Sequence, residues 1–334
     1  MNPIMQRTLD QMAIRDYRWY LQLARFTPKD MVSWMHTDGG YVGQDAALSA
    51  VCTAMYSHWH FPDRPKRNLL IIGSTGSGKT QMVDTVRRWF KYASPDAPPS
   101  VQARFIRYVD SSQLVSTGYK GLHIADALND ILEPQGCILF IDEVCKMTAK
   151  SWAAGNGSEW SPSDACQHSI LTLLDHNCFS VTSSTGSVID VDGKHITVVL
   201  MGAFSDILEK KSSKRREKHL GFGNAIDYTA DETEPIVTED DLIQHGMLRE
   251  VCGRCSIVQM DKPDKSLMYK VALNTIEELE RTTEYHICIS DDTLHDLAET
   301  AYSKNLGGRY IRNELQKRFD AQLLENVRSD TLTL

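Results

Sequence analysis

Residues 67–90, RNLLIIGSTGSGKTQMVDTVRRWF, indicate the fold of this chain more clearly than any other segment. The four apolar residues Leu69–Ile72 are typical of a short buried strand, and the apolar residues of 81–90 recur at helical spacing. Between them, GSTGSGKT at 73–80 fits the G-x-x-x-x-G-K-[ST] pattern of a phosphate-binding loop. A strand, a glycine-rich turn and a helix in this order predict an α/β nucleotide-binding domain with a parallel sheet.

The residue types of this loop suit a phosphate group. Glycines let the backbone wrap around a phosphate, and the amides at the start of the following helix face its negative charge. Lys79 is expected to reach the β- and γ-phosphate oxygens, and Thr80 to hold Mg²⁺, so ATP and Mg²⁺ are the expected cofactors. The glycine spacing does not fit G-x-G-x-x-G, which disfavours a dinucleotide-binding fold. The predicted nucleotide-binding residues of the loop are Ser74, Thr75, Gly76, Ser77, Gly78, Lys79, Thr80 and Gln81.

Two acidic residues follow the next strongly apolar segment. The segment GCILFIDE, residues 136–143, predicts a buried strand that ends in Asp142 and Glu143. Paired acids after a strand often only begin a solvated loop. Downstream of a phosphate loop, however, the first acid can hold Mg²⁺ and its neighbour can activate the attacking water. The spacing therefore favours nucleotide hydrolysis, with Asp142 as a metal ligand beside Thr80 and Glu143 as a catalytic residue.

Two arginines are further candidates for the catalytic machinery. Arg254 follows a predicted helix and precedes the apolar pair Ile257 and Val258, whereas Arg309 begins a helix directly after two glycines. An isolated arginine is usually a surface charge. Either one could instead stabilise charge on the γ-phosphate, in its own subunit or from a neighbouring one.

Composition limits the remaining classes of function. A chain of 334 residues with 42% hydrophobic and 24% charged residues is typical of a globular protein with room for two domains. The net charge of −8 disfavours nucleic acid as a partner. Eight scattered cysteines predict reduced thiols in a cytoplasmic protein, and the single C-x-x-C at 252–255 is weak support for zinc or redox chemistry. No apolar run is long enough for a membrane span or a signal peptide.

The chain is expected to have three parts. Residues 1–27 form a helical N-terminal extension, residues 28–261 a large ATPase domain, and residues 262–334 a small, mainly helical domain. The predicted hinge lies near Met260–Asp264, where the composition changes. Lys91–Ser100 is predicted to be a surface loop, and the basic segment 208–219 to be solvated and mobile.

Nine motifs occur along the chain in the same order as in a known protein family. These motifs are YVGQ, GSTGSGKT, GYKG, ILFIDEVCKM, LLDH, MGAF, LGFG, DDLIQHGMLREVCGR and NLGGRYIR. Their succession resembles that of the ClpX-type AAA+ unfoldases, the ATP-binding subunits of the Clp protease, over about residues 28–330. The resemblance implies an AAA+ fold and a homohexameric ring. Such a ring uses ATP hydrolysis to unfold protein substrates and thread them through its pore into a ClpP-like peptidase.

The same resemblance implies roles for individual residues. Tyr41 and Val42 would pack on the adenine. Arg254 would be the arginine finger given to the next subunit, and Arg309 would be the second sensor, which reports nucleotide to the small domain. The pore-loop motif that grips the translocating chain corresponds to Gly118, Tyr119, Lys120 and Gly121. The loop that docks on the peptidase corresponds to Leu220, Gly221 and Phe222.

Several segments depart from the family pattern. The N-terminal zinc-binding domain has no counterpart in the sequence, the Arg-Lys-His pore-entrance motif is missing from Ser183–His195, and Ser74 replaces a proline ahead of the loop glycines. The usual substrates and adaptors are therefore not implied, although the ATPase residues are intact. Two other classes stay open, a nucleic-acid motor and a remodelling ATPase that acts without a peptidase. The acidic balance disfavours the first, and the motif at 220–222 disfavours the second.

Overall fold

The computed structural model describes residues 18–61, 64–97, 99–114, 124–128, 136–148, 162–182, 186, 188–219, 235–326 and 331–333. Within these ranges the chain forms an α/β body followed by a mainly helical C-terminal part, which confirms the predicted fold class. None of the helices in these ranges combines the length and the apolar character needed to cross a membrane.

Helices and strands alternate through most of the body. Residues 18–23 are helical. The further α-helices are α1 Pro28–His36, α2 Asp45–His60, α3 Lys79–Ala93, α4 Pro99–Phe105, α5 Ile124–Ala127, α6 Pro162–Leu174, α7 Ser205–His219, α8 Glu239–His245, α9 Arg249–Cys252, α10 Lys265–Thr283, α11 Asp291–Ser303 and α12 Gly307–Asn326. Short 3₁₀ turns are Ser111–Gln113, Val144–Met147 and Gly193–His195. The strands are β1 Leu69–Ile72, β2 Ile106–Asp110, β3 Cys137–Asp142, β4 Cys178–Thr182, β5 Val188–Asp192, β6 Ile196–Gly202, β7 Ser256–Gln259, β8 His286–Cys288 and β9 Thr331–Thr333.

The body is built on a five-stranded sheet in the order β2-β3-β6-β1-β7, with every neighbouring pair parallel. Parallel strands covered by helices on both faces are apolar along their whole length. Strands β1, β3 and β6 follow this rule, since all of their residues are buried. The predicted strands at 69–72 and at the apolar segment before Glu143 are therefore confirmed.

Two hydrophobic cores lie against the two faces of this sheet. Successive side chains of a strand point to opposite faces, so Leu69 and Ile71 join one core and Leu70 and Ile72 join the other. In the first core, Trp19 is fully buried and its ring centroid lies 5.0 Å from that of Phe105. The described part of the N-terminal extension thus packs on the α/β body.

The helical C-terminal part has a separate core. Its buried members come from residues 268–332, on α10, α11, α12 and the parallel pair β8–β9. The half-buried Val42 of the body packs against this core. A division of the chain at residues 27/28 and 261/262 remains our prediction, and the separate C-terminal core supports the second boundary.

The two parts meet along the loop at 37–44. Asn274 Nδ2 on α10 donates to the carbonyl of Gly40 at 3.1 Å. Gln44 forms two hydrogen bonds with the backbone of Asp261: its Nε2 donates to the carbonyl at 2.8 Å, and its Oε1 accepts from the amide at 2.7 Å. The loop between α1 and α2 is therefore attached to the hinge and to α10 at once.

Some local predictions are wrong. The predicted surface loop Lys91–Ser100 is helical at both ends, because Ala93 is buried on α3 and α4 begins at Pro99. The basic segment 208–219, predicted to be solvated and mobile, is helical as part of α7; Leu208 is buried at its start, whereas Glu209 and Lys210 are exposed. The antiparallel hairpin β4–β5 is a further element that the sequence analysis missed.

Candidate active site

A cavity of about 410 Å³ lies where the phosphate loop, the end of β3 and the start of α12 meet. The carboxyl ends of parallel strands share one edge of a sheet, and ligands of α/β proteins bind at that edge. The loop after β1 and the acids that end β3 therefore come together. The lining residues are Thr75, Gly76, Gly78, Lys79, Thr80, Gln81, Asp84, Asp142, Glu143, Ala203, Leu306, Gly308, Arg309, Arg312 and Asn313.

The phosphate loop adopts a conformation that requires glycine. Gly76 and Gly78 have φ angles of 82° and 99°, in the left-handed region that other residues rarely occupy. Helix α3 begins at the next residue, Lys79, so the free amides of its first turn lie beside the loop. Lys79 Nζ donates to the carbonyls of Gly73 at 2.6 Å and Ser74 at 3.0 Å. The loop and its lysine thus form one hydrogen-bonded unit.

Tyr41 is hydrogen-bonded to the phosphate loop. The side chain is 2% exposed, and its hydroxyl donates to the carbonyl of Gly78 at 3.4 Å. Burial raises the pKa of Tyr41 well above its usual value, so the phenol stays protonated. Neither Tyr41 nor Val42 is among the residues that line the cavity. Their contact with adenine remains a prediction.

Asp142 is held by three hydrogen bonds although it is only 3% exposed. Its Oδ2 accepts from Thr80 Oγ1 at 3.3 Å and from the Tyr108 hydroxyl at 3.1 Å, and its Oδ1 accepts from the amide of Glu143 at 2.8 Å. A buried carboxylate is tolerated when such donors replace water. The position of this carboxylate is therefore defined by its neighbours.

Glu143, the next residue, has an unusual backbone conformation. Its φ of 59° lies in the left-handed region, which costs a residue with a side chain about 1 kcal/mol or more. The Glu143 amide donates to Asp142, and the carbonyl accepts from the buried Ser111 hydroxyl at 2.8 Å, so both sides of the residue are fixed. Strained residues held in this way are common at functional sites. The Glu143 side chain is 42% exposed and lines the cavity.

Tyr108 and Ser111 are site residues that the sequence analysis missed. Both lie on or directly after β2, the strand next to β3, and neither belongs to a recognised motif. Burial and the nearby Asp142 raise the pKa of Tyr108 to about 12. A polar residue near the end of the strand beside the acidic strand is the only sequence signal that points to Tyr108.

The start of α12 closes the cavity from the C-terminal part. Gly307 has a φ of 66°, and a Cβ atom placed on it would lie 2.8 Å from Gly76 Cα. The phosphate loop and α12 therefore touch backbone to backbone. Arg309 lines the cavity, is exposed, and forms no hydrogen bond or ion pair with any residue that the structure describes.

Arg312 lies one turn further along α12 and was also missed. It lines the cavity, and its buried Nε atom has no hydrogen-bond partner among the described residues. Burial lowers its pKa, and the surrounding charges are those of Glu278, Arg88 and Asp84. Residues three positions apart share a helix face, so its spacing from Arg309 was the available signal.

Arg254 lies elsewhere. It forms an ion pair with Asp175, and its Nη1 donates to the carbonyl of Glu250 at 2.9 Å. It precedes β7, where Ser256 pairs in register with Leu69 at the beginning of β1. Arg254 is therefore at the amino end of these parallel strands, opposite the edge that carries the phosphate loop.

The remaining predicted sites fall into two groups. The pore-loop residues 118–121 and the docking residues 220–222 lie outside the described residues. Cys252 and Cys255 are described, and burial raises their pKa values to about 11 and about 12, which disfavours the thiolates that metal and redox chemistry need. No cluster of three metal-ligating side chains occurs within the part of the chain that the structure describes.

Comparison with protein families agrees with this geometry. The AAA domain family (Cdc48 subfamily) matches residues 64–258, which is more than half of the chain. The chain belongs to the AAA domain family. The matched region of this AAA protein includes the phosphate loop, both acids and Arg254, and it ends before α12.

Within the AAA proteins, the chain is similar to ClpX subunits of several bacteria. The chain is 24% identical over 326 aligned residues to the ATP-dependent Clp protease ATP-binding subunit ClpX of Treponema denticola, covering 87% of this chain and 75% of that protein. The ClpX subunits of Borrelia duttonii and Borrelia recurrentis are also 24% identical, covering 87% of this chain and 72% of theirs. The ClpX-type resemblance of this AAA protein is confirmed. Family membership and these relatives imply a nucleotide-binding ATPase.

Proposed function

We propose that the cavity binds ATP with Mg²⁺ and that the chain hydrolyses ATP to unfold proteins. The observation that carries the ATPase assignment is the buried Asp142 carboxylate 3.3 Å from the Thr80 hydroxyl, at a cavity lined by the phosphate loop. This donor set fits Mg²⁺, which prefers oxygen ligands, so Thr80 and Asp142 would hold the ion. When bound, Mg²⁺ neutralises charge on the β- and γ-phosphate oxygens.

The other residues then have separate tasks. The loop amides and the Lys79 ammonium bind the phosphates, and the fixed backbone of Glu143 places its carboxylate at the cavity wall to accept a proton from the attacking water. Arg309 on α12 meets the phosphates from the opposite side. ATP binding would therefore connect the body to the C-terminal part.

Arg254 would act in a neighbouring subunit. The opposite ends of the sheet separate it from the phosphate loop of its own chain, and a strand of four residues is roughly 13 Å long. An arginine at that distance contributes to phosphate chemistry only when another subunit brings its site to it. This supports a ring, with six subunits as in the resemblance, in which release of the ion pair with Asp175 frees Arg254.

Assembly in trans is tested with mixed rings. Arg254→Ala subunits keep Glu143, and Glu143→Gln subunits keep Arg254, so each alone should be inactive in hydrolysis. Mixed rings should recover part of the activity, because intact sites then receive a neighbour's arginine. Mixed oligomers verified by co-purification of two differently tagged subunits that show no recovery would limit Arg254 to a structural role.

Protein unfolding is supported by the GYKG motif at 118–121 and by the ClpX relatives. An aromatic residue between glycines suits a mobile loop that grips a polypeptide in a pore. The rival function is a nucleic-acid motor, and the net charge of −8 favours a protein substrate over an anionic one.

The substrate class is tested by stimulation of ATP hydrolysis. Casein, as an unstructured protein, should raise the ATPase rate of the wild type, and linear duplex DNA should not. Tyr119→Ala should keep the basal rate and lose the response to casein. Stimulation by DNA alone would overturn the unfoldase proposal in favour of the nucleic-acid motor.

A ClpP-like peptidase is the proposed partner of the segment 220–222. Two apolar residues, Leu220 and Phe222, lie between a basic and an acidic stretch of sequence, where exposed apolar groups usually mark a contact. Six such segments on a ring would multiply a weak contact. Deletion of 220–222 should abolish co-sedimentation with ClpP and retain ATP hydrolysis. Retained ClpP binding would favour a remodelling ATPase that works without a peptidase.

A further inference from the structure

We propose that Tyr108 is a positioning residue that fixes the Asp142 carboxylate for the divalent cation. The proposal rests on the proposed ATPase function and assigns a role to a residue of β2 that lies outside the phosphate-loop and acidic motifs. It concerns the hydroxyl group of Tyr108 alone, which makes it testable by a substitution that removes one atom.

The sheet register brings the two side chains together. Strands β2 and β3 are parallel, Tyr108 pairs with Phe140, and Asp142 lies two residues beyond Phe140. Residues two apart on a strand share a face, so Tyr108 and Asp142 are diagonal neighbours on the same face of the sheet. The tyrosine side chain is long enough to span this diagonal, and its hydroxyl donates to Asp142 Oδ2 at 3.1 Å.

The acceptor of this hydrogen bond is the carboxylate oxygen that contacts Thr80, the other proposed metal ligand. Oδ2 also accepts from Thr80 Oγ1, whereas Oδ1 accepts from the Glu143 amide. Without Tyr108, the Thr80 hydroxyl would be the remaining donor to Oδ2 among the described residues. The carboxylate could then rotate toward or away from Thr80. Partners that orient metal ligands in this way typically contribute about 10- to 100-fold in metal affinity or activity.

The Tyr108 ring is itself held in place. It packs against the first core, and the guanidinium carbon of Arg87 lies 5.9 Å from the ring centroid, over the ring. Tyr108 also lines a second cavity of about 390 Å³, together with Gln102 and Ala127. The ring is thus anchored on its core side and by Arg87, and these contacts do not involve the hydroxyl.

The test is Tyr108→Phe, which keeps the ring, its packing and the Arg87 contact. Mn²⁺ serves as the probe, with ATPγS bound to the purified protein, and free Mn²⁺ is measured by electron paramagnetic resonance. The variant should bind Mn²⁺ about 10-fold more weakly. The Mg²⁺ concentration for half-maximal ATP hydrolysis should rise by a similar factor, and ATPγS affinity measured in EDTA should stay unchanged.

Tyr92→Phe is the matched control. Tyr92 is 55% exposed on α3, and its hydroxyl contacts no polar group among the described residues. Wild type and control should share the same Mn²⁺ affinity and thermal midpoint, and Tyr108→Phe should lower that midpoint by only a few degrees, because it removes a single hydrogen bond and Asp142 keeps its bonds to Thr80 and the Glu143 amide.

The outcomes separate this inference from the ATPase proposal. Wild-type protein that fails to hydrolyse ATP would remove the proposed function itself. An active wild type with unchanged Mn²⁺ affinity in Tyr108→Phe would overturn the role of Tyr108 alone. A lower kcat at saturating Mg²⁺ without weaker Mn²⁺ binding would also overturn it, because a general structural effect does not act through the metal.

Discussion

The two walls of the cavity differ in how their polar groups are satisfied. The acid wall consists of the phosphate loop with Lys79 and of the pair Asp142 and Glu143, and each of these residues forms hydrogen bonds with its own domain. The arginine wall consists of Arg309 and Arg312 on α12. Among the described residues, Arg309 has no polar partner, and the buried Nε of Arg312 has none.

This difference assigns separate tasks to the walls. Groups fixed in advance need no reorganisation during a reaction, which favours catalysis at the acid wall. A buried polar group without a partner costs about 1 to 3 kcal/mol, and an anion in the cavity removes that cost. In the proposed ATP complex, the free energy of phosphate binding at the arginine wall would therefore be available to orient α12, and with it the C-terminal part, relative to the body.

Among substitutions in the acid wall, Glu143→Gln should have the largest effect on ATP hydrolysis. Loss of the general base should lower kcat for ATP hydrolysis by about 10² to 10⁴-fold, and ATP binding should persist because Thr80, Lys79 and Asp142 are unchanged. Hydrolysis is measured by phosphate release and binding by equilibrium titration with a fluorescent ATP analogue. Wild-type turnover in this variant would contradict the assignment of Glu143.

Gly307→Ala should break the contact between the walls. The new Cβ would lie 2.8 Å from Gly76 Cα, and the left-handed φ adds strain of about 1 kcal/mol. We expect ATP affinity to fall by about 10-fold, since about 1.4 kcal/mol corresponds to that factor.

Gly186→Ala provides the control for Gly307→Ala. Gly186 has a similar φ of +83°, and a Cβ atom on it would meet no atom of the described residues within 4 Å. It therefore carries the strain without the clash, and its ATP affinity should match that of the wild type. Equal affinities in both alanine variants would show that the backbone contact between Gly307 and Gly76 has no role in binding.

Arg312→Met should raise the stability of the free protein and reduce the additional stabilisation that ATPγS provides. Removal of a buried N–H group without a partner should raise the thermal midpoint of the free protein by a few degrees, as expected for about 1 kcal/mol. The further rise caused by ATPγS should become smaller, because one cationic contact is lost. Arg318→Met on the same helix removes a partly exposed ion pair with Glu314 at 3.8 Å, which does not line the cavity, and serves as the control. If ATPγS raised the thermal midpoint of Arg312→Met as much as that of the wild type, Arg312 would not bind the nucleotide, and the task assigned to the arginine wall would be wrong.

The smallest effect is expected from Lys146→Ala. Lys146 Nζ lies 4.0 Å from Glu143 Oε2, and both side chains are substantially exposed. Exposed pairs contribute about 0 to 1 kcal/mol, so kcat should change by less than about fivefold. A larger decrease, measured under the same conditions as Glu143→Gln, would mean that Lys146 helps to position the catalytic carboxylate.

The sequence predicted the parts of the site that depend on local pattern. Each of these parts is a short, uninterrupted stretch of sequence, and strand, turn and helix preferences act over such short stretches. They are the strand at 69–72, the loop with Lys79 and Thr80, and the two acids at the end of β3. The residue pattern also marked Arg254 and Arg309 as candidates, and the family motifs added a specific role for each of them.

The missed features depend on packing between distant segments. Tyr108 meets Asp142 across a sequence separation of 34 residues, and Gly76 meets Gly307 only after the C-terminal part has docked. Neither contact leaves a local pattern. The sequence analysis did not predict the helix over 208–219 for a related reason, since the high charge of this segment conceals the buried pair Ile207 and Leu208 at the start of α7.

The amide clamp between Gln44 and Asp261 has a mechanical consequence. By binding both the N–H and the carbonyl of Asp261, Gln44 makes that residue a part of the body, and α10 begins only four residues later at Lys265. The free connection is thus Lys262, Pro263 and Asp264, a span of roughly 10 Å in which proline fixes one more torsion angle. So short a pivot leaves few axes of rotation. If the proposed ATP binding displaced α12, the C-terminal part would turn about this pivot, and the points farthest from residue 263 would move most.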